Sequence, residues 1–185
     1  MRADLELTLR RLGPGDLEQA NAVVEAVLMT WDLPARVKRL SLQSYRYHAH
    51  DLDHLTLIGA ENTAGRIVAV AAREPAKPAD SPKGSKALLL HGLYVAPELH
   101  RSGVGSRLLD TAVQAARTSG FDGLLVKANR DAQGFFLARG LRPLPVESPD
   151  RDYPYRFWMD IPLANGDLVC RARSSRLVAR RGDQS

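Results

Sequence analysis

One cysteine, Cys170, stands in a chain of 185 residues. It can form no internal disulfide and no thiolate-clustered zinc site, so stability must come from packing in a reducing compartment. Long apolar runs are missing too: none approaches the roughly 20 residues that a membrane-spanning helix needs. The first residues, MRADLELTLRRL, alternate polar with apolar instead of building a signal-peptide core. These absences point to a cytoplasmic protein with no membrane partner and no metal. Nowhere does a glycine-rich loop run into Gly-Lys-Ser or Gly-Lys-Thr, so nucleotide hydrolysis lacks its lysine and its magnesium ligand.

What is present is globular. Hydrophobic residues make up 44% and charged residues 25% of the chain, near the average for a folded domain, and the length suits one such domain rather than two. We place it over residues 1–163. Net charge is +5, and residues 165–185 hold five arginines against Asp167 and Asp183. This basic tail, residues 164–185, lacks aromatic residues for base stacking and any basic run longer than two. Its composition therefore favours a solvated, flexible tail over a nucleic-acid arm.

Leu5, Leu7 and Leu9 alternate like a half-buried strand, and Leu17, Ala20, Val23, Val24, Val27 and Leu28 recur at helical spacing behind Asp16. A narrower helix starts near Pro34 and uses Val37, Leu40 and Tyr45. Residues 55–60 and 66–73 form an antiparallel hairpin across ENTAG. The proline-bearing stretch 74–86 reads as an exposed loop and the best internal candidate for disorder. ALLLHGLYV, residues 87–95, is apolar almost throughout and suits a central strand. A helix from Val104 to near Gly120, a strand at 124–128, a short helix from Asp131 ended by Gly140, and an alternating strand from Tyr153 to Ile161 complete the order. The expected class is α/β (α+β), a mixed central sheet of about seven strands with helices on both faces.

Chemistry concentrates in VAPELHRSGVGSRLL, Val95–Leu109, where the buried strand meets a helix through a turn ending in Gly103 and Gly105. Free N–H groups at a helix start favour negative charge, and glycine lets a ligand oxygen approach. His100, Arg101 and Arg107 add positive charge, so phosphate binding and a plain tight turn are both open readings. Leu108 stands where a dinucleotide fingerprint wants its third glycine.

This segment resembles the signature of the GNAT N-acetyltransferase superfamily, in which a strand ending in Val-x-Pro leads into Arg or Gln, two residues, Gly, one residue, and Gly or Ala. Here the core is His100, Arg101, Ser102, Gly103, Val104, Gly105, with histidine at the first position. A second segment, NRDAQGFFLARGL, resembles the family's later helix through Asn129, Ala132, Phe135 and Gly140. The resemblance implies an acetyl-CoA binding fold. The turn from His100 through Ser106 would cradle the pyrophosphate, and the strand edge at Leu93, Tyr94 and Val95 would bond to the pantetheine arm. Asn129, Phe135 and Phe136 would complete the site.

The implied reaction is attack by a neutral amine on the thioester, which needs a base, an oxyanion donor and an acid for the thiolate. The family's usual acid is a tyrosine where this chain has Phe136, which cannot donate a proton. Tyr94, Tyr153 and Tyr155 are the substitutes, with Tyr94 carried forward. His91 lies where many relatives have glutamate and is the first choice of base; a buried strand histidine and a water relay are the alternatives. HAHDLDH, residues 48–54, lacks the spacing of a metallo-hydrolase and reads as solvated surface near the acceptor. Trp31, Asp32, Tyr45 and Tyr47 share that region and read as packing. The sequence thus predicts an acetyltransferase acting on a small-molecule or peptide amine, with a catalytically silent acyl-CoA-binding module as the alternative. The late strand could also support a homodimer.

Overall fold

Alternation commits Leu7–Arg11 to the first strand, β1, with Leu7 buried. A computed structural model describes residues 6–82, 84–150 and 152–162, so Leu5 and the basic tail lie outside the described residues. Helices α1 (Leu17–Thr30) and α2 (Ala35–Tyr45) follow, then strands β2 (Thr56–Asn62), β3 (Ile67–Pro75) and β4 (Ala87–Val95). Helix α3 (Val104–Thr118), β5 (Gly123–Lys127), α4 (Gln133–Ala138), β6 (Arg142–Pro143) and β7 (Arg156–Asp160) complete the domain. The seven strands form one sheet in the order β1-β2-β3-β4-β5-β7-β6. Only β4 and β5 pair in parallel, joined by α3 as the crossover. The expected mixed sheet is therefore what the chain builds.

Helices cover both faces. Helix α3 turns Val104, Leu108, Leu109, Ala112 and Ala116 inward at helical spacing, and Phe136 of α4 joins them against Leu88, Leu90, Leu124, Val126 and Phe157. Each fully buried side chain of this size contributes about 1.5–3 kcal/mol relative to exposure. Helix α1 packs the opposite face through Ala20, Val23, Val24 and Leu28 against Leu57, Val70 and Tyr94. A smaller cluster of Ala87, Leu89, Leu125 and Trp158 fills the remainder of that face. Gly123 makes room for it, because a Cβ there would overlap the Trp158 indole.

Both site-bearing helices stop where expected. Gly120 (φ 67°) closes α3 with its N–H on Arg117 O at 3.2 Å while Phe121 N–H reaches Ala116 O at 2.9 Å. Gly140 (φ 82°) closes α4 the same way, through Leu137 O and Phe136 O. This is the paired bonding of a Schellman stop, which favours a left-handed glycine.

Three expectations need correction. The late strand is shorter than the alternation from Tyr153 implies: β7 begins at Arg156, and Tyr153 is exposed ahead of it. Trp158, on the other face of β7, is buried, because its ring fills the space that Gly123 leaves. Strand β7 also lies inside the sheet, between β5 and β6, so it offers no free edge for pairing with a second copy. The stretch 74–86 is not simply an exposed loop. Strand β3 runs on to Pro75, Ala76 N–H bonds to Ala87 O at 2.9 Å, and Lys127 Nζ meets Asp80 at 3.1 Å. Among the described residues no helix is long and apolar enough to cross a membrane.

Asp16, before α1, accepts from Arg10 Nη2 at 2.7 Å, Arg10 Nη1 at 3.0 Å and Gly13 N–H at 2.8 Å. The Arg10 bonds, then the Gly13 bond, lower its carboxyl from 3.8 to about 2. A depressed carboxylate stabilises the fold fully above its unfolded value and loses that contribution as pH falls through the folded one. Asp16→Asn should therefore lower the thermal midpoint at neutral pH, with the gap to wild type closing between about pH 4 and pH 2 in melts across that range.

Candidate functional site

The site begins with a fault in the sheet. Across β3 and β4, Ala72 faces Gly92 but the next residue, Arg73, faces Leu90, leaving His91 as the extra residue of a bulge. On its other side β4 pairs with β5 only from Ala87↔Gly123 to Leu90↔Val126. Past the bulge the two strands part. The β5-facing edge of Leu93–Val95 is left open, while β4 stays paired to β3 out to Val95↔Ala69.

Beyond that edge the chain makes a 3-10 turn, Pro97–Leu99, and then enters α3. Arg101 (φ 61°) and Gly103 (φ 90°) are both left-handed. Left-handed geometry costs a residue with a Cβ about 1–2 kcal/mol, and Arg101 bears that cost where the chain turns into α3, with Ser102 N–H bonded back to Leu99 O at 3.3 Å. Arg107 N–H closes on Gly103 O at 3.1 Å, so the amides of Val104, Gly105 and Ser106 ahead of it have no intrahelical partner. The macrodipole adds to the attraction for an anion.

A cavity of about 770 Å³ runs from this turn along the open strand edge. Most of the expected residues line it: His91, Leu93, Tyr94, Val95, His100, Arg101, Gly103, Gly105, Ser106, Asn129, Phe135 and Phe136. Two do not. Val104 is buried on the inward face of α3, and the Ser102 hydroxyl turns back onto Leu99 O. Two basic groups are also committed elsewhere. His100 Nε2 lies 3.0 Å from Val95 O, and Arg107 Nη2 donates to Leu7 O at 2.9 Å, tying α3 to β1. Of the three cations expected around the turn, Arg101 is the one not drawn back onto the backbone by either bond.

His91 is exposed rather than buried, which removes the packing alternative; its side chain is 53% accessible and Nδ1 lies 3.6 Å from Glu74 Oε1. Phe136 is a core residue as well as a lining one, stacked on Phe157 with centroids 6.0 Å apart. The HAHDLDH stretch is a surface turn in which Asp51 Oδ2 accepts His48 N–H at 2.7 Å. Among the described residues no group of three or more His, Cys, Asp or Glu could hold a metal ion.

The far end of the cavity is aromatic. Trp31 and Tyr45, expected as packing, both line it, edge to face at 5.4 Å, together with Val27, Thr30, Tyr94 and Tyr153. Burial raises the Tyr94 phenol above its ordinary range, aided by Tyr45 and Tyr153, and burial raises Tyr153 in the same direction. Both therefore stay protonated at neutral pH. Tyr47 is the member of this group that does pack, and Asn21 fixes it: Asn21 Nδ2 donates to Tyr47 O and Oδ1 accepts from Tyr47 N–H, both at 2.8 Å. Tyr153 rides on a loop held by Arg156, which donates to Pro145 O at 2.8 Å and pairs with Asp152 at 3.2 Å. Sequence reasoning missed Asn21, Val27, Thr30 and Glu74. Only Asn21 left a signal, as a polar residue among the inward positions of α1.

The profile described as the acetyltransferase (GNAT) family matches residues 25–141. Solved structures with similar folds include a GCN5-related N-acetyltransferase from Rhodopseudomonas palustris, with 20% identity, TM-score 0.66, and coverage of 86% of this chain and 99% of that one. Another is the PaiA N-acetyltransferase of Thermoplasma acidophilum in complex with coenzyme A, at 13% identity, TM-score 0.67, and coverage of 84% and 99%. A third is a GNAT-family acetyltransferase from Brucella melitensis in complex with acetyl-CoA, at 17% identity, TM-score 0.60, and coverage of 87% and 94%. No curated protein matches the chain.

Gly92 tests how closely the cavity floor is packed. A Cβ there would lie 2.6 Å from Tyr94 Cε2 and 2.8 Å from Tyr47 Oη, between two buried rings. Gly92→Ala should cost about 1–3 kcal/mol of stability, the usual range for overpacking, read as a lowered urea midpoint at unchanged slope.

Proposed function

The chain belongs to the acetyltransferase (GNAT) family, and from that premise we propose that it transfers the acetyl group of acetyl-CoA to a primary amine. The reading rests on the parting of β4 from β5 after Leu90, which leaves an open strand edge beside the amides of the first turn of α3 that have no intrahelical partner. The residues present fit such a donor. A diphosphate needs N–H donors and close approach; the α3 amides supply the first, and open space around Gly103 allows the second. The peptide-like amides of a pantetheine arm need a strand-like partner, which the backbone of Leu93 and the N–H of Val95 offer, the Val95 carbonyl being met by His100 Nε2. Asn129, Phe135 and Phe136 form the opposite wall. The Thermoplasma and Brucella neighbours, described with coenzyme A and acetyl-CoA, support this choice of donor.

The thioester supplies an activated acyl carbon; the rest falls to the chain. An amine reaches neutral pH as an ammonium, so one proton must leave before nitrogen can attack. We assign that proton to His91, directly or through water. Glu74, 3.6 Å from Nδ1, stabilises the imidazolium that results and leaves Nε2 facing the proton. As nitrogen bonds to the acetyl carbon and the carbon–sulfur bond breaks, nitrogen sheds its second surplus proton and the departing sulfur takes up that proton through water, leaving amide, thiol and the His91 imidazolium. Tyr94 is the phenol on the wall. Its raised pKa makes it a hydrogen-bond donor to the departing sulfur rather than the source of its proton, because an ordinary thiol is the stronger acid. Phe136, buried against Phe157, has no proton to give.

Gly103→Val closes the approach to the amides and strains a left-handed position. If it remains folded by circular dichroism, its dissociation constant for acetyl-CoA should rise at least tenfold by calorimetry; unchanged affinity would remove the turn from the site. His91→Gln should lower kcat by about 10²-fold or more, the usual scale of general-base catalysis, without moving the KM for acetyl-CoA. It should also flatten the acid limb of the pH–rate profile. A profile like wild type would take His91 out of the reaction.

A further inference from the structure

Resting on that reading, we infer that the acceptor is an arylalkylamine: one primary amine on a short chain carried by a flat aromatic body. The aromatic end of the cavity brings Trp31, Tyr45, Tyr94 and Tyr153 together from four separate places in the chain, the ends of α1 and α2, the splayed part of β4, and the segment ahead of β7. Tyr94 is 8% exposed and lies deep, whereas Tyr45 at 37% and Tyr153 at 41% stand at the rim. Trp31 and Tyr45 meet edge to face at 5.4 Å, an arrangement that offers a third ring an offset or edge-on contact. Such a contact is worth about 0.5–1.5 kcal/mol beyond the area it buries.

Charge narrows the choice further. Among the described residues lining the cavity, the one carboxylate is Asp131, on the turn after β5, where Arg130 Nε lies 3.6 Å away. None lines the aromatic end. Glu74 stands behind His91 and serves the amine that reacts. A second ammonium, as in a polyamine or an aminoglycoside, would be drawn from water with no anion to pair with, which is costly. An α-carboxylate is no better served at the aromatic end, since Lys127 is held by Asp80 at 3.1 Å and Arg101 belongs to the turn ahead of α3, where the diphosphate would lie. A single ammonium attracted to aromatic faces on its way to His91, with a ring trailing toward the rim, meets none of these penalties.

The test is acetyl-CoA-dependent thiol release with the full chain and a fixed panel: 2-phenylethylamine, tryptamine, n-butylamine, spermidine, kanamycin and a lysine peptide. The expected result is a kcat/KM for the two aryl amines at least tenfold above every other member. Tyr45→Ala should raise the KM for 2-phenylethylamine at least fivefold and leave that for acetyl-CoA unchanged, whereas Tyr45→Phe should retain wild-type values. Preference for spermidine, kanamycin, butylamine or the peptide would overturn the inference while leaving acetyl transfer standing. If no amine is acetylated, binding decides. Saturable quenching of tryptophan emission by 2-phenylethylamine in the presence of coenzyme A, lost in Trp31→Phe, would uphold the pocket and sink the transferase reading. No quenching would sink the pocket itself.

Discussion

Parallel strands β4 and β5 agree for only four residue pairs, and the bulge at His91 ends the agreement. One extra residue in β4 bends and twists it locally, while β3 holds its other edge in register to Val95. The only edge left free is the one facing β5. Unpaired main-chain groups inside a domain are costly, and here they open onto the cavity instead of being sealed in the core. The same bulge lifts His91 out of the packed alternation, so the residue that breaks the sheet is also the titratable group at its gap.

Around the gap the two faces of the sheet divide the work. The face carrying α3 and α4 supplies amides, small residues and the buried pair Phe136 and Phe157. The face carrying α1 supplies rings, with Tyr47 and Tyr94 in the core beneath the cavity. Local anchors keep each side in place. Arg107 ties α3 to the backbone of Leu7, and Arg156 shapes the loop that presents Tyr153. Neither arginine lies on the cavity wall, yet each fixes an element that does.

Order and type of the elements were legible wherever apolar spacing was regular: β1, α1, β4 and α3 all lie where the pattern puts them. Glycine chemistry located the ends of α3 and α4, because the stops at Gly120 and Gly140 are local events. Legibility failed where long-range partners decide. Tyr153 alternates with Tyr155 and Phe157 as a strand would, but no neighbour pairs with it, so it belongs to a loop. Trp158 looks out of place on a polar face until Gly123, 35 positions earlier, is seen to vacate its volume. The strand-to-helix side of the cavity was readable because its lining residues fall in one run from Leu93 to Ser106. The aromatic end was not, since Trp31, Tyr45 and Tyr94 converge only in three dimensions. His100 and Arg107 were read as adding positive charge around the turn, and charge cannot reveal which carbonyl a side chain will find.

The paired amide bonds between Asn21 and Tyr47 clasp the chain into a closed loop that contains the end of α1, all of α2, and two of the four rings. Every residue that loop contributes to the cavity wall sits between its own fastenings, apart from the α3 turn. It behaves as a cassette. Duplicated genes could diverge by rewriting it, keeping Val23, Val24 and Leu28 as its footing, and reshape that end of the cavity with the β4–α3 half of the protein left as inherited.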